Sequence, residues 1–124
     1  MLINNKMTIQ EFIITLFEFQ VNTHLIHFDP DAFSKHIALN ELYSGLDGFT
    51  DRLAESYTGK YGIIQDYPKV MTVRTFLTPS QLILFYVNKI ESAREDFVDG
   101  WIQQIIDEKL ELIYTTKYKI DRLP

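Results

Sequence analysis

Cysteine is missing from the chain altogether. Its absence excludes disulfides, thiolate metal sites and cysteine nucleophiles, and it suits a cytoplasmic protein. Basic residues are also in deficit, 12 against 17 acidic ones, and the net charge of −5 argues against broad nucleic-acid binding through an exposed basic surface. It does not argue against cations, which a negative interior would concentrate. No apolar run approaches the length of a membrane span. The opening MLINNKMTIQEF has no basic start, continuous apolar segment or small-residue cleavage site, so no signal peptide is expected. Repeats, low-complexity tracts and Gly-rich phosphate loops are absent as well. What remains is a globular composition, 46% hydrophobic and 23% charged, in 124 residues. That is enough for one domain with a single core and hardly for two.

Within that domain the apolar residues recur at helical spacing. Residues 1–7 read as loose. Thr8 and Glu11 resemble a capping box, after which Phe12, Ile13, Leu16, Phe17, Val21, His24, Leu25 and Phe28 predict a first helix from about Thr8 to His27. Phe28-Asp29-Pro30-Asp31 breaks the chain and restarts it, with Pro and Asp both suited to a helix start. A second helix follows from Asp31 to about Thr58 or Gly59, with Gly59 and Gly62 as stop signals. Gly45 and Gly48 weaken it from inside, by about 1 kcal/mol each relative to Ala. They leave room for another backbone to come close, or for a kink. Residues 59–78 lose the helical period and form a connection long enough that it should be packed or hold a short helix. Thr78-Pro79-Ser80 starts a third helix carrying Leu82, Ile83, Phe85, Tyr86, Val87 and Ile90. A turn near Gly100, with Asp96 or Asp99 as cap, leads into a fourth carrying Trp101, Ile102, Ile105, Ile106, Leu110, Leu112, Ile113 and Tyr114. The expected architecture is all-α: four helices as two hairpins joined by a long crossover between the second and third, a connectivity typical of ferritin-like bundles.

The candidate chemistry lies between His24 and Glu55. Imidazole and carboxylate together suit iron, zinc or manganese, and His24, His36, Asp51 and Glu55 supply both. Advancing the second helix by about 100° per residue gathers Leu39, Leu42, Leu46, Phe49, Leu53 and Tyr57 within roughly 80°, an ordinary core stripe. His36, Asn40, Asp47, Asp51 and Glu55 fall within about 100° on a different face. Any metal they hold therefore sits at the edge of the bundle, where a second subunit could complete its shell. A solvated polar face is the plainer explanation for such residues. Asp51 and Glu55 form an i, i+4 acid pair that repels itself unless a cation intervenes, although the cost is only a few tenths of a kcal/mol. Arg52, their neighbour, points elsewhere on the wheel. His27 reads as surface, the alternative being a group that supports the metal ligands from behind; Tyr43 reads as an interface packing residue within the polar face, the alternative being a group beside a metal or a donor to a ligand; and Asp107, Glu108 and Glu111 read as a solvated face of the fourth helix. No Ser or Thr forms a triad with His, which discounts nucleophilic hydrolysis.

The segment HLIHFDPDAFSKHIALNELYSGLDGFTDRLAES, from His24 onward, resembles the ferroxidase segment of the Dps family, or mini-ferritins. That family has a His late in its first helix, a second His early in the next, and an Asp and a Glu further along. The separations match those of His24, His36, Asp51 and Glu55. Phe33, Leu42, Tyr43 and Ala54 also fit the family's pattern, and GWIQQIIDEKLELIY is similar to its last helix. The close match covers about a third of the chain. The resemblance implies a ferritin-like fold and an iron site shared across a two-fold axis, with His24 and His36 from one chain and Asp51 and Glu55 from its partner. It further implies oxidation of Fe(II) and storage of the mineral in a hollow twelve-subunit shell; other divalent metals such as zinc or manganese suit the same donors.

The departures are specific. Asn40 stands where the family usually carries an Asp, and a neutral amide is the weaker iron ligand. Leu25 replaces a Trp, the chain is short for the family, and neither end carries the lysine-rich tail associated with DNA binding. A role in DNA binding is therefore not expected. Two other readings remain: a non-enzymatic ferritin-fold structural or assembly protein with a residual metal site, and a small helical adaptor that uses its aromatic faces.

Overall fold

The computed structural model describes residues 6–29 and 31–124. Four helices make up the ordered elements: α1 (Ile9–Ile26), α2 (Phe33–Tyr61), α3 (Pro79–Ala93) and α4 (Gly100–Arg122). Among the described residues there is no strand, and no helix is long and apolar enough to cross a membrane. Of the segment expected to be loose, residues 1–5 lie outside the described residues, while the Met7 amide donates to Asp96 at 2.8 Å. Pro30, expected to open the second helix, also lies outside them.

Each helix begins and ends for a local reason. Thr8 caps α1 through a complete capping box with Glu11. Thr78 caps α3 by accepting from the Gln81 amide, with Pro79 at the first helical position. The start of α2 differs from expectation. Ala32 is the N-cap and offers no side-chain acceptor, and Asp31 precedes the helix and pairs with Lys35 instead. The helix then runs past Gly59 to Gly62, whose φ of +98° is the left-handed conformation that stops it. Asp99 sits at the N-cap position of α4, but its carboxylate is taken by Lys60 (2.6 Å) and Tyr61 (2.9 Å) at the end of α2.

Packing follows from the apolar stripes. Phe12, Leu16 and Phe19 of α1, Leu39, Leu42 and Leu46 of α2, Leu82, Ile83 and Tyr86 of α3, and Ile102, Ile106 and Ile113 of α4 are buried in one core. Each such Leu or Ile contributes roughly 1.5–3 kcal/mol by leaving water. Each of α1 and α4 packs on both α2 and α3, whereas α1 does not meet α4 and α2 does not meet α3. Contacts at the helix ends fix the directions. Ser80 at the start of α3 bonds Asp121 near the end of α4, and Asp99 at the start of α4 meets the end of α2. Neighbouring helices are therefore antiparallel, and α2 ends at the opposite end of the bundle from the start of α3.

Residues 62–78 span that gap without a helix of their own. Gln10 near the start of α1 donates to the Gln65 carbonyl at 2.7 Å. Further along, the Thr72 amide donates to Glu18 (3.0 Å) and the Arg74 amide to Asn22 (2.9 Å). Arg74 Nε donates to the same Glu18 carboxylate, and Phe76 packs on Phe85 and Tyr86. At the centre of this lacing the Tyr86 hydroxyl, fully buried on α3, donates to Glu18 at 2.6 Å and accepts from Asn22 at 2.9 Å. Burial pushes the Glu18 carboxyl up, but hydrogen bonds from Tyr86, Arg74 and Thr72 outweigh it and hold the group below its ordinary value. Burial, and then donation to Glu18, push the Tyr86 phenol well above its ordinary value.

Candidate metal centre

All three histidines of the chain gather at one end of the α1–α2 hairpin. His24 lies in the last turn of α1, and His27 closes the helix, its amide donating to the Thr23 carbonyl at 3.0 Å. His36 lies in the first turn of α2. The His27 and His36 rings stack with centroids 4.1 Å apart, and His24 meets His27 edge-on at 5.6 Å. Tyr43 lies flat against His24 at 4.0 Å and donates its hydroxyl to Asn40 at 2.6 Å. Phe28 and Phe33, both largely exposed, flank the group by stacking on His24 and His36 respectively.

The protonation of His36 follows from its partner. Its Nδ1 lies 3.0 Å from the His27 carbonyl oxygen, which can only accept, so Nδ1 carries a proton and the lone pair of the neutral ring falls on Nε2. A backbone carbonyl holding one ring nitrogen while the other stays free is a common arrangement for a metal-binding imidazole. His27 itself is buried, not on the surface as the sequence suggested, and its Nδ1 has no hydrogen-bond partner. Burial, followed by the neighbouring His36, holds its pKa below the ordinary imidazole value.

Asp51 and Glu55 are elsewhere. Both are exposed on α2, on the face that also exposes Asp47 and leads away from the buried Leu39, Leu42, Leu46 and Leu53. The 15 positions from His36 to Asp51 amount to about 22 Å along a helix. One chain therefore brings His24 near His36 but neither near the two carboxylates. Among the described residues no three His, Asp or Glu side chains are placed to hold a metal ion together. Arg52 turns away from the acid pair to Glu108, and Asp107 pairs with Arg94.

His27 and Lys109 are among the buried polar groups that escaped the sequence reading. His27 continues the stripe Phe12, Leu16, Phe19, Thr23 at helical spacing, a signal obscured because polar Asn22 and Thr23 are buried while apolar Leu25 and Phe28 are exposed. Lys109 on α4 is only 1% exposed, and among the described residues its amine has no hydrogen-bond partner. The amine lies 4.8 Å from the centre of the Phe49 ring. Burial, and secondarily Arg52, push it down to about 7.

The stretch that holds His27, His36, Asp51 and Glu55 lies within the part of the chain that a family model matches. The chain belongs to the family of unknown function DUF5856. The family model covers residues 27–120, from the buried histidine through nearly all of α4, and leaves His24 outside. No curated protein and no solved structure matches the chain.

Proposed function

We propose that this DUF5856 chain is a divergent Dps-like protein of ferritin-like fold, taking Fe(II) as its substrate at a site assembled from two copies. Residues 62–78 are, in this reading, the long crossover of the bundle. The observation that carries it is the division of the donors along α2. His24 and His36 lie at one end on either side of His27, with Nδ1 of His36 held by the His27 carbonyl, while Asp51 and Glu55 stand exposed about 22 Å or more further along. A two-fold axis crossing α2 near Tyr43 and Ser44 brings each histidine end to the partner's carboxylate end. The imidazoles then bind Fe(II), and the carboxylates stabilise the ferric product after an external oxidant takes the electron. Storage in a closed shell of about twelve subunits follows from the resemblance alone.

One contact favours a second reading, a structural or assembly protein whose metal site is residual. Asn40, where a carboxylate is expected, has its side-chain oxygen bonded to the Tyr43 hydroxyl and is already neutral. Anaerobic Fe(II) titration followed by oxidant, with particle size from light scattering, separates the two. Saturable oxidation by an oligomer, lost in the double variant His36→Ala/Asp51→Ala, supports the iron reading. An oligomer whose iron behaviour is the same in both proteins supports the structural one, and a monomer without iron binding sinks both.

A further inference from the structure

Lys109 has the environment of a reactive amine. It lies midway along α4, enclosed by protein, and among the described residues its amine has no counter-ion and no acceptor for its protons. Buried lysines are ordinarily paired, because an isolated ammonium is costly away from water. The ring of Phe49 that covers the amine also walls an open groove of about 480 Å³ between α2 and α4, lined in addition by Glu108, Glu111, Leu112 and Thr115. Phe49 is only half-buried, and with Arg52 lying over it at 5.7 Å its ring must swing aside for a molecule in the groove to reach the amine.

The lining selects the kind of molecule. Glu111 repels a carboxylate or phosphate and Glu108 is already paired with Arg52, so the groove offers an anion no free cation, whereas Phe49 and Leu112 offer apolar walls. A desolvated, unpaired lysine in apolar surroundings is the kind of amine that attacks carbonyl carbon. We infer that Lys109 is a covalent attachment site for an apolar aldehyde, which lies in the α2–α4 groove and condenses with the amine. The nitrogen lone pair adds to the carbonyl carbon and the C=O π pair moves to oxygen. Proton transfer gives a carbinolamine, and loss of one water leaves a C=N bond; no oxidant or reductant takes part. This inference rests on the α2–α4 contact and is independent of the iron reading.

Benzaldehyde with cyanoborohydride, which reduces the imine to a stable secondary amine, tests it on the full chain at neutral pH, with the modified lysine located by peptide mass spectrometry. An amine titrating at about 7 is half unprotonated at pH 7, against roughly one part in 10³ for an ordinary lysine. Lys109 is therefore expected to react at least about tenfold faster than any other lysine. Phe49→Ala, which removes the cover, should raise that rate further, and Lys109→Met should abolish the fast phase. Modification confined to exposed lysines in both wild type and Phe49→Ala overturns the inference.

Discussion

Replacing Lys109 by Met should stabilise the protein, and by an amount that depends on pH. Met has a similar length and flexibility and carries no charge to desolvate. The lysine pKa falls from an ordinary 10.5 to about 7 on folding, so between these values the unfolded chain binds more protons and stability rises with pH. The penalty is complete below about 7 and gone above 10.5. Linkage puts it on the order of 4 kcal/mol at pH 7 and about 1 kcal/mol at pH 10. Urea unfolding of wild type and Lys109→Met at both pH values reads the difference directly, since every other titrating group cancels between the two proteins. The advantage of Met should shrink by about 3 kcal/mol on going from pH 7 to pH 10. A variant equally or less stable at pH 7, or an advantage that does not change with pH, would refute the picture of an unpaired, desolvated amine.

Three further outcomes follow from the fold. Tyr86→Phe removes the hydroxyl shared by Glu18 and Asn22 and should cost about 1–3 kcal/mol. Hydrogen exchange should show the Thr72 and Arg74 amides losing protection, and unchanged protection would mean the lacing does not depend on that hydroxyl. Glu18 titrates below its ordinary value of 4.5, so its contribution is complete above that pH and is lost as pH falls through its folded value. Glu18→Gln should therefore flatten the acid limb of a stability–pH curve, an effect that acid titration followed by circular dichroism would detect. A Cβ at Gly48 meets nothing within 4 Å, so Gly48→Ala should raise stability by up to about 1 kcal/mol through helix propensity alone. A shift in thermal midpoint to lower temperature would show that the glycine has another role.

The helices were legible because their signals are local. The capping box at Thr8 and Glu11, the Thr78-Pro79 start and the Leu39–Leu42–Leu46–Leu53 stripe each need only a few residues of context, and all are present. The wheel also put Asp51 and Glu55 on an outward face, where they are exposed. Gly45, read as room for a backbone or a kink, accommodates instead the tip of Leu112 from α4, in a helix that runs unbroken. What the sequence hid depends on contacts between distant segments. Glu18 and Asn22 look like solvent-facing residues until residues 72–74 and Tyr86 are placed beside them. Lys109 reads as one more charge in DEKL, and only the covering ring of Phe49 makes it unusual. His27 reads as surface in the sequence because the apolar Leu25 and Phe28 beside it, both exposed, point to the wrong side of α1.

The lacing of residues 62–78 along α1 has a topological consequence. These residues are the only covalent link between two helical hairpins, α1–α2 and α3–α4, and the hairpins already grip each other through α1 on α3 and α2 on α4. A protease cutting at the exposed stretch around Pro68 and Val70 would turn one polypeptide into a two-piece complex held by core packing alone. The carboxyl-terminal piece would keep its hold on Glu18 and Asn22 through Thr72 and Arg74, so the break would leave a strap fastened at one end instead of a loose flap.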